Sequence, residues 1–304
     1  MEKINVIAVV GPTASGKTAL GVYLAEKCGG EVISADSMQI YKGLDITTAK
    51  PTAEEMRGIP HHLISVVPRS QKFSVADYVN FAGEKILEVK KRNKLPIIVG
   101  GTGLYIDSLL NNIKFGAVKC DQKLRDELKR DAETFGGAYL LERLQKYDRE
   151  TAERLHPNNI TRIIRAIEVY ELTGITMTET VKKSREHISP YNVFYLGINC
   201  DDRNLLYEKI NARVDKMVKN GMTEECKECY ETNPIAGTAG QAIGYKELIP
   251  YFDGKSSLSE CIDKIKQETR RYAKRQLTWF RRNSQICRVY NSEDIKIKEI
   301  LNFF

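Results

Sequence analysis

Long apolar runs are missing from this chain of 304 residues. Its most apolar stretches, INVIAVV (4–10) and PIIVGG (96–101), stop far short of the roughly 18 apolar residues that a membrane span needs, so no membrane partner is expected. The opening MEKINVIAVV runs straight into a strand pattern without a small-residue cleavage site, and no secretory signal is expected. Cysteine is sparse, seven residues, which excludes a disulfide scaffold and goes with reduced thiols in the cytoplasm. Cys226 and Cys229 have the spacing of half a zinc site. No second pair follows, and His61, His62, His156 and His187 all lie far off in the sequence, so structural zinc is not expected. No fixed-period repeat or low-complexity tract is visible.

Charge is present in one place. Between positions 264 and 282 there are eight basic residues (Lys264, Lys266, Arg270, Arg271, Lys274, Arg275, Arg281, Arg282) and one acid, Glu268. That window alone accounts for the formal net charge of +7. A concentrated basic segment suits a polyanion, nucleic acid first, although a solvated helix face would look the same.

Strand signals cluster at the two ends of the chain. INVIAVV (4–10), EVISA (31–35), PIIVGG (96–101) and VFYLGINC (193–200) are short, rich in Val and Ile, and read as buried parallel strands. They alternate with helical patterns, Lys17 to Lys27 and the amphipathic 73–91, which predicts an α/β class: a core of parallel sheet flanked by helices. From about 116 to 190 no strand is apparent. Helical patterns at 121–135, 138–146, 149–155 and 159–172 predict an all-helical insertion domain at 116–190, with the core formed by 1–115 and 191–304.

GPTASGKT, Gly11 to Thr18, is the strongest motif: G-x-x-x-x-G-K-[ST] between a strand and a helix, a P-loop of the ATP-binding, nucleotide-binding type. Backbone N–H groups of Gly11, Pro12, Thr13, Ala14, Ser15 and Gly16, proline excepted, would turn inward around a phosphate at the positive end of a helix. Lys17 supplies a cation, and Thr18 a hydroxyl for Mg²⁺. Asp36 follows the second strand and Thr102 the third, and groups just past the carboxyl ends of parallel strands converge on the ligand crevice. Asp36 could equally cap a helix starting at Ser37.

GPTASGKT, SADSMQIY (34–41), GGTGLY (100–105), RAIEVYELTG (165–174), GQAIGYKE (240–247) and KRQLTWFRR (274–282) together resemble the bacterial tRNA dimethylallyltransferase (tRNA isopentenyltransferase) family over residues 4 to 282. The resemblance implies a prenyltransferase of tRNA processing. It would move a dimethylallyl group from dimethylallyl diphosphate to the exocyclic amine of the adenosine 3′-adjacent to the anticodon, releasing diphosphate. The loop would then hold diphosphate rather than ATP. By the same resemblance Asp36 is the base, Thr102 helps position the reacting centre, and Arg213 clamps the diphosphate. Asp36, Ser37, Met38, Gln39 and Thr102 would read an extruded adenine. Arg125, Thr161 (where the family's pattern carries glutamine), Arg162 and Arg165 would meet the tRNA. So would Gln241, Gly244, Tyr245, Lys246, Lys274, Arg275, Gln276, Trp279 and Arg281. On helical periodicity alone Trp279 falls on a partly apolar stripe with Ile262, Ile265, Thr269, Tyr272 and Gln276, a core position. Mg²⁺ is the expected cofactor, the tRNA anticodon stem-loop the partner, and a cytoplasmic monomer the working form. Two rival readings leave residues unused. A small-molecule kinase has no need of the basic segment, and a non-catalytic RNA-binding module has none of Asp36 and Thr102.

Overall fold

The computed structural model describes residues 2–116, 121–200, 202–232, 235, 237–289 and 297–304. Strand β1 (Ile4–Val10) leads through the glycine-rich loop into α1 (Lys17–Cys28), which Gly29 closes in the left-handed conformation (φ 64°). Next come β2 (Gly30–Ser34), a helical turn α2 (Ala53–Met56), β3 (His61–His62), α3 (Val75–Lys91), β4 (Leu95–Gly100) and α4 (Gly103–Leu110). The insertion supplies α5 (Gln122–Gln145), α6 (Arg149–Arg154), α7 (Ile160–Thr173) and α8 (Met177–Ser184). The chain returns through β5 (Tyr191–Ile198), α9 (Arg203–Lys219), α10 (Met222–Thr232), α11 (Tyr245–Phe252), α12 (Leu258–Phe280), β6 (Cys287–Val289) and α13 (Ile297–Phe303).

The six strands form one parallel sheet in the order β3-β2-β4-β1-β5-β6. Its central strands are mostly apolar on both sides, because both faces are covered. Along β1, Val6, Ala8 and Val10 enter one core cluster and Ile7 and Val9 the other, the alternation that a pleated strand imposes. The edge strands β3 and β6 carry no alternation long enough to read in sequence, and the second belongs to a stretch read as helical. Among the described residues no helix is long and apolar enough to cross a membrane.

Two compact units result, Met1–Leu110 with Ser189–Phe304, and Asn111–Ile188. The helical unit thus begins a few residues before the expected 116; residues 117–120 lie outside the described residues. The two helices read at 121–135 and 138–146 are the halves of α5, broken at Gly136 (φ 83°). This unit has its own core, with Leu128, Leu140 and Leu144 of α5 packed among Ile163, Ile164 and Ile167 of α7.

Among the described residues two charged side chains of that unit are buried, Asp148, which caps α6, and Glu168. Glu168 is completely covered and accepts hydrogen bonds from Arg125 Nε and Nη2 (both 2.8 Å), from the Asp121 N–H (3.0 Å) and from Arg165. Burial works to raise its pKa, but the bonds from Arg125, Arg165 and Asp121 outweigh it and hold the carboxyl below its ordinary value. Arg125 and Arg165 were expected to meet tRNA. Both hold this buried carboxylate while keeping about a third of their own side chains exposed, and Thr161 and Arg162 are exposed on the first turn of α7. Removing an arginine strands the covered carboxylate. Arg125→Met is expected to destabilise the helical unit by about 3 kcal/mol, seen as an early unfolding transition in calorimetry. A melting profile identical to wild type would show the pair to be dispensable.

Candidate active site

The carboxyl ends of β1, β2 and β4 supply the site. Past β1 the loop runs with positive φ at Gly11 (150°), Ala14 (60°) and Gly16 (91°). Ala14 holds a conformation that costs a residue with a Cβ of the order of 1 kcal/mol. What it gains is a backbone curled around an anion-sized hollow. Gly16, the N-cap of α1, offers no side chain to the first-turn N–H groups, and the Ser15 hydroxyl is buried without a partner. These are donors that a phosphate could satisfy.

Lys17, at the start of α1, donates to the Pro12 carbonyl and lines a cavity with Thr13, Thr18, Asp36, Arg213 and Tyr272. Desolvation, then the neighbouring Arg213, push its pKa down to about 7, against the pull of Asp36. Arg213, from α9, is itself lowered by burial, with Asp36 and Glu55 opposing. A surface arginine is the ordinary reading of that helical run; the fold turns this one inward.

Asp36 Oδ1 accepts from the N–H groups of Met38 (2.9 Å) and Gln39 (3.3 Å). It therefore caps the turn after β2 and lines the cavity as well, so the two readings of Asp36 are both realised. The cap fixes the carboxylate's orientation. Thr102 ties the β4 end to the same turn: its Oγ1 accepts the Ser37 N–H (3.1 Å) and donates to Ser37 Oγ (3.4 Å).

A second cavity, of about 230 Å³, is lined by Ser37, Met38, Gln241, Lys246 and Arg275, and shares Thr13, Asp36, Arg213 and Tyr272 with the first. One cavity is thus walled by the phosphate loop, the other by residues from the turn after β2 and from the last third of the chain, with Asp36 and Arg213 facing both.

Several expected tRNA contacts have other work. The Gln39 amide faces the Lys17 cavity and donates to the carbonyls of Thr48 (3.4 Å) and Ala49 (3.3 Å), so it is not on the second cavity. Gly244 (φ 109°) starts α11 and donates to Glu247, and Tyr245 is buried in the core. Gln276 is 5% exposed and bonded to the backbone on both sides. Trp279 packs against Gly103, where an added Cβ would fall 2.3 Å from its ring, and donates to Asp107 (2.8 Å). That is the core position its periodicity suggests. Lys274 and Arg281 are exposed and, with Arg203, line a separate small depression.

Other lining residues had no role assigned from sequence. Tyr272 lines both cavities, and burial, then Asp36, push its pKa up to about 12; its helical stripe with Gln276 was visible, its destination was not. His61 stands out in the sequence only as too distant for the cysteine pair. It lines the Lys17 cavity, and its Nδ1 bonds the Ile59 carbonyl (2.8 Å), because β3, too short to detect, carries it there.

A parallel α/β sheet with the Gly11–Thr18 loop at its carboxyl edge, beside a second, largely apolar cavity, is the architecture of a P-loop protein. The family model described as IPP transferase matches residues 39–283. A tRNA dimethylallyltransferase of Halalkalibacterium halodurans is 46% identical over 99% of this chain and 96% of its own. One of Bacillus subtilis is 47% identical over 93% and 90%. Among solved structures, the full-length tRNA isopentenylpyrophosphate transferase of Bacillus halodurans superposes with a TM-score of 0.71 at 43% identity, covering 99% of this chain and 94% of that one. A eukaryotic dimethylallyltransferase acting on tRNA gives 0.75 at 32%, covering 91% and 70%. The chain belongs to the IPP transferase family.

Lys17 generates a pH test. In the empty protein its ammonium is lost as pH rises through about 7, and an anion bound beside it restores the proton. Pyrophosphate binding is therefore expected to weaken above pH 7 by up to about tenfold per pH unit, with Lys17→Met losing that part of the slope. Equal slopes in the two proteins, by calorimetric titration, would assign the proton elsewhere. By the same linkage, Lys17 lowers the stability of the empty protein fully below about pH 7, and progressively less up to its ordinary 10.5.

Proposed function

We propose that this chain transfers the dimethylallyl group of dimethylallyl diphosphate to the exocyclic amine of the adenosine 3′-adjacent to the anticodon in tRNA, releasing diphosphate. The observation that carries the reading is that Asp36 and Arg213 line both cavities at once. Family membership names the chemistry that such a junction serves.

On this reading the diphosphate lies on the Gly11–Thr18 loop. The allylic C–O bond breaks with its electron pair leaving on the diphosphate, and Lys17, Arg213 and the loop N–H groups stabilise the charge that builds there. The adenine amine is a weak nucleophile because its lone pair is delocalised into the ring. Asp36 orients it and accepts its proton as the C–N bond forms. Thr102, through Ser37, holds the turn that presents Asp36. The Thr18 hydroxyl, beside Asp36 in the same cavity, fits Mg²⁺, which takes one or two protein oxygens and keeps its waters; when bound it would add positive charge against the diphosphate.

The acceptor base has to leave the stack of the anticodon loop to reach such a cavity. Ser37, Met38, Gln241 and Lys246 would surround it, with Arg275 at its phosphate. Lys274 and Arg281 would hold the backbone outside, and Thr161 and Arg162 are the exposed candidates in the helical unit.

Incubation with labelled dimethylallyl diphosphate and unmodified tRNA, followed by nucleoside analysis, tests the reaction. Label in a modified adenosine supports it; thermal stabilisation by ATP but not by dimethylallyl diphosphate favours a kinase. Asp36→Asn should bind diphosphate but transfer about 100-fold more slowly, and a rate within threefold of wild type would leave Asp36 as a turn cap alone. Replacing Lys274 and Arg281 with Ala should weaken tRNA binding and flatten the plot of log affinity against log salt by roughly 0.7 per lost contact. An unchanged slope would take this surface off the tRNA.

A further inference from the structure

The two halves of the site are joined by a residue that the reaction scheme does not use. Gln276 lies on the buried face of α12. Its Oε1 accepts the Thr13 N–H of the phosphate loop at 2.8 Å, and its Nε2 donates to the Gly101 carbonyl at 3.0 Å. The β4–α4 turn presses against this amide so closely that a Cβ on Gly101 would fall 2.0 Å from Nε2. One turn back along α12, Tyr272 lines the same cavity as Gln276. Thr102 accepts the Ser37 N–H and donates its own N–H to Ala35 O (3.2 Å). A continuous hydrogen-bonded string thus runs from Thr13, through Gln276 and the 101–102 turn, to the residues on either side of Asp36.

The chemistry of the string is specific. Thr13 offers a donor and Gly101 an acceptor, and the glutamine amide, with C=O and NH2 side by side, answers both from one side chain. A carboxylate lacks the donor, an ammonium or guanidinium lacks the acceptor, and asparagine is one methylene short.

We propose that Gln276 is a positioning residue for the transfer: it sets the leaving-group cradle in register with the base on the turn after β2. The proposal rests on the functional reading above. Gln276 lines the Lys17 cavity, but both ends of its amide are taken up by the Thr13 and Gly101 backbone, and it acts through them. Reacting atoms misplaced by about 1 Å lose on the order of 100-fold in rate, so a loosened register falls on turnover, not on binding.

The test compares Gln276→Met, which keeps the volume and loses both bonds, with Gln276→Glu, which keeps the acceptor for Thr13. Single-turnover transfer at saturating donor and tRNA, and pyrophosphate affinity, are read for both. For Gln276→Met the rate is expected to fall at least tenfold while pyrophosphate affinity changes less than threefold. For Gln276→Glu the rate relative to wild type is expected to recover as pH falls, because the protonated carboxyl can again donate to Gly101 O. Ile262→Ala, which loosens the packing of the same helix several turns away from the string, controls for general loosening and should keep its rate. An unchanged Gln276→Met rate overturns the proposal, as does a rate loss matched by lost pyrophosphate affinity. If Gln276→Met does not fold, the pH response of Gln276→Glu decides, and a flat response overturns it. Absence of transfer by the wild-type chain overturns the functional reading and this proposal with it, a result distinct from wild-type transfer with an indifferent Gln276.

Discussion

Lys17 and Arg213 are held largely out of water in the wall of one cavity, with Asp36 as the carboxylate beside them. Two cations against one anion is an unfavourable arrangement in an empty protein, since each disfavours the other's charge and desolvation disfavours both. Its cost is met by the rest of the fold. An anion in the cavity relieves the repulsion, and a diphosphate is such an anion. Around that constraint the strained Ala14, the uncapped α1 and the unpartnered Ser15 hydroxyl make one picture: polar groups positioned for a ligand rather than for each other.

The parallel sheet explains how this is achieved. Because β1, β2 and β4 run side by side in the same direction, the loops that follow them emerge along one edge. The phosphate loop, Asp36 and Thr102, scattered over some ninety residues of sequence, become neighbours as a result. The second half of the core then covers this edge. From α9 comes Arg213, and from α12 come Tyr272 and Gln276. The basic helix is therefore not a separate RNA-binding appendage. Its buried face is bonded to the phosphate loop and to the turn after β4, while Lys274 and Arg281 remain exposed.

That double use of α12 changes how its charge is understood. Eight cations in nineteen positions suggest one electrostatic surface, yet the structure divides them. Lys266 pairs with Asp215, Arg270 bonds Asn211, and Arg271 and Lys264 pair with Glu268. Arg275 faces the second cavity and Arg282 lies over the Trp279 ring. Only a subset is free to act on a polyanion, as surface ion pairs are weak but still orient the side chains that make them.

By itself the sequence determined what short-range physics controls. The strand β1, the glycine spacing of Gly11–Thr18, the capped helices α3 and α12 and the helical insertion all follow from periodicity and local backbone chemistry, and Asp36 and Thr102 could be placed from the strands that precede them. The tertiary structure decided everything that depends on which face of an element meets which neighbour. A buried ion pair made Arg125 and Arg165 supports of Glu168, and a two-residue edge strand brought His61 to the cavity. Helix packing turned Arg213 inward and gave Gln276 to the backbone instead of to RNA. A polar side chain in a helix carries no local signal of its partner. Its role is fixed only when the sheet is complete and the distant backbone groups that need a donor or an acceptor come within 3 Å of it.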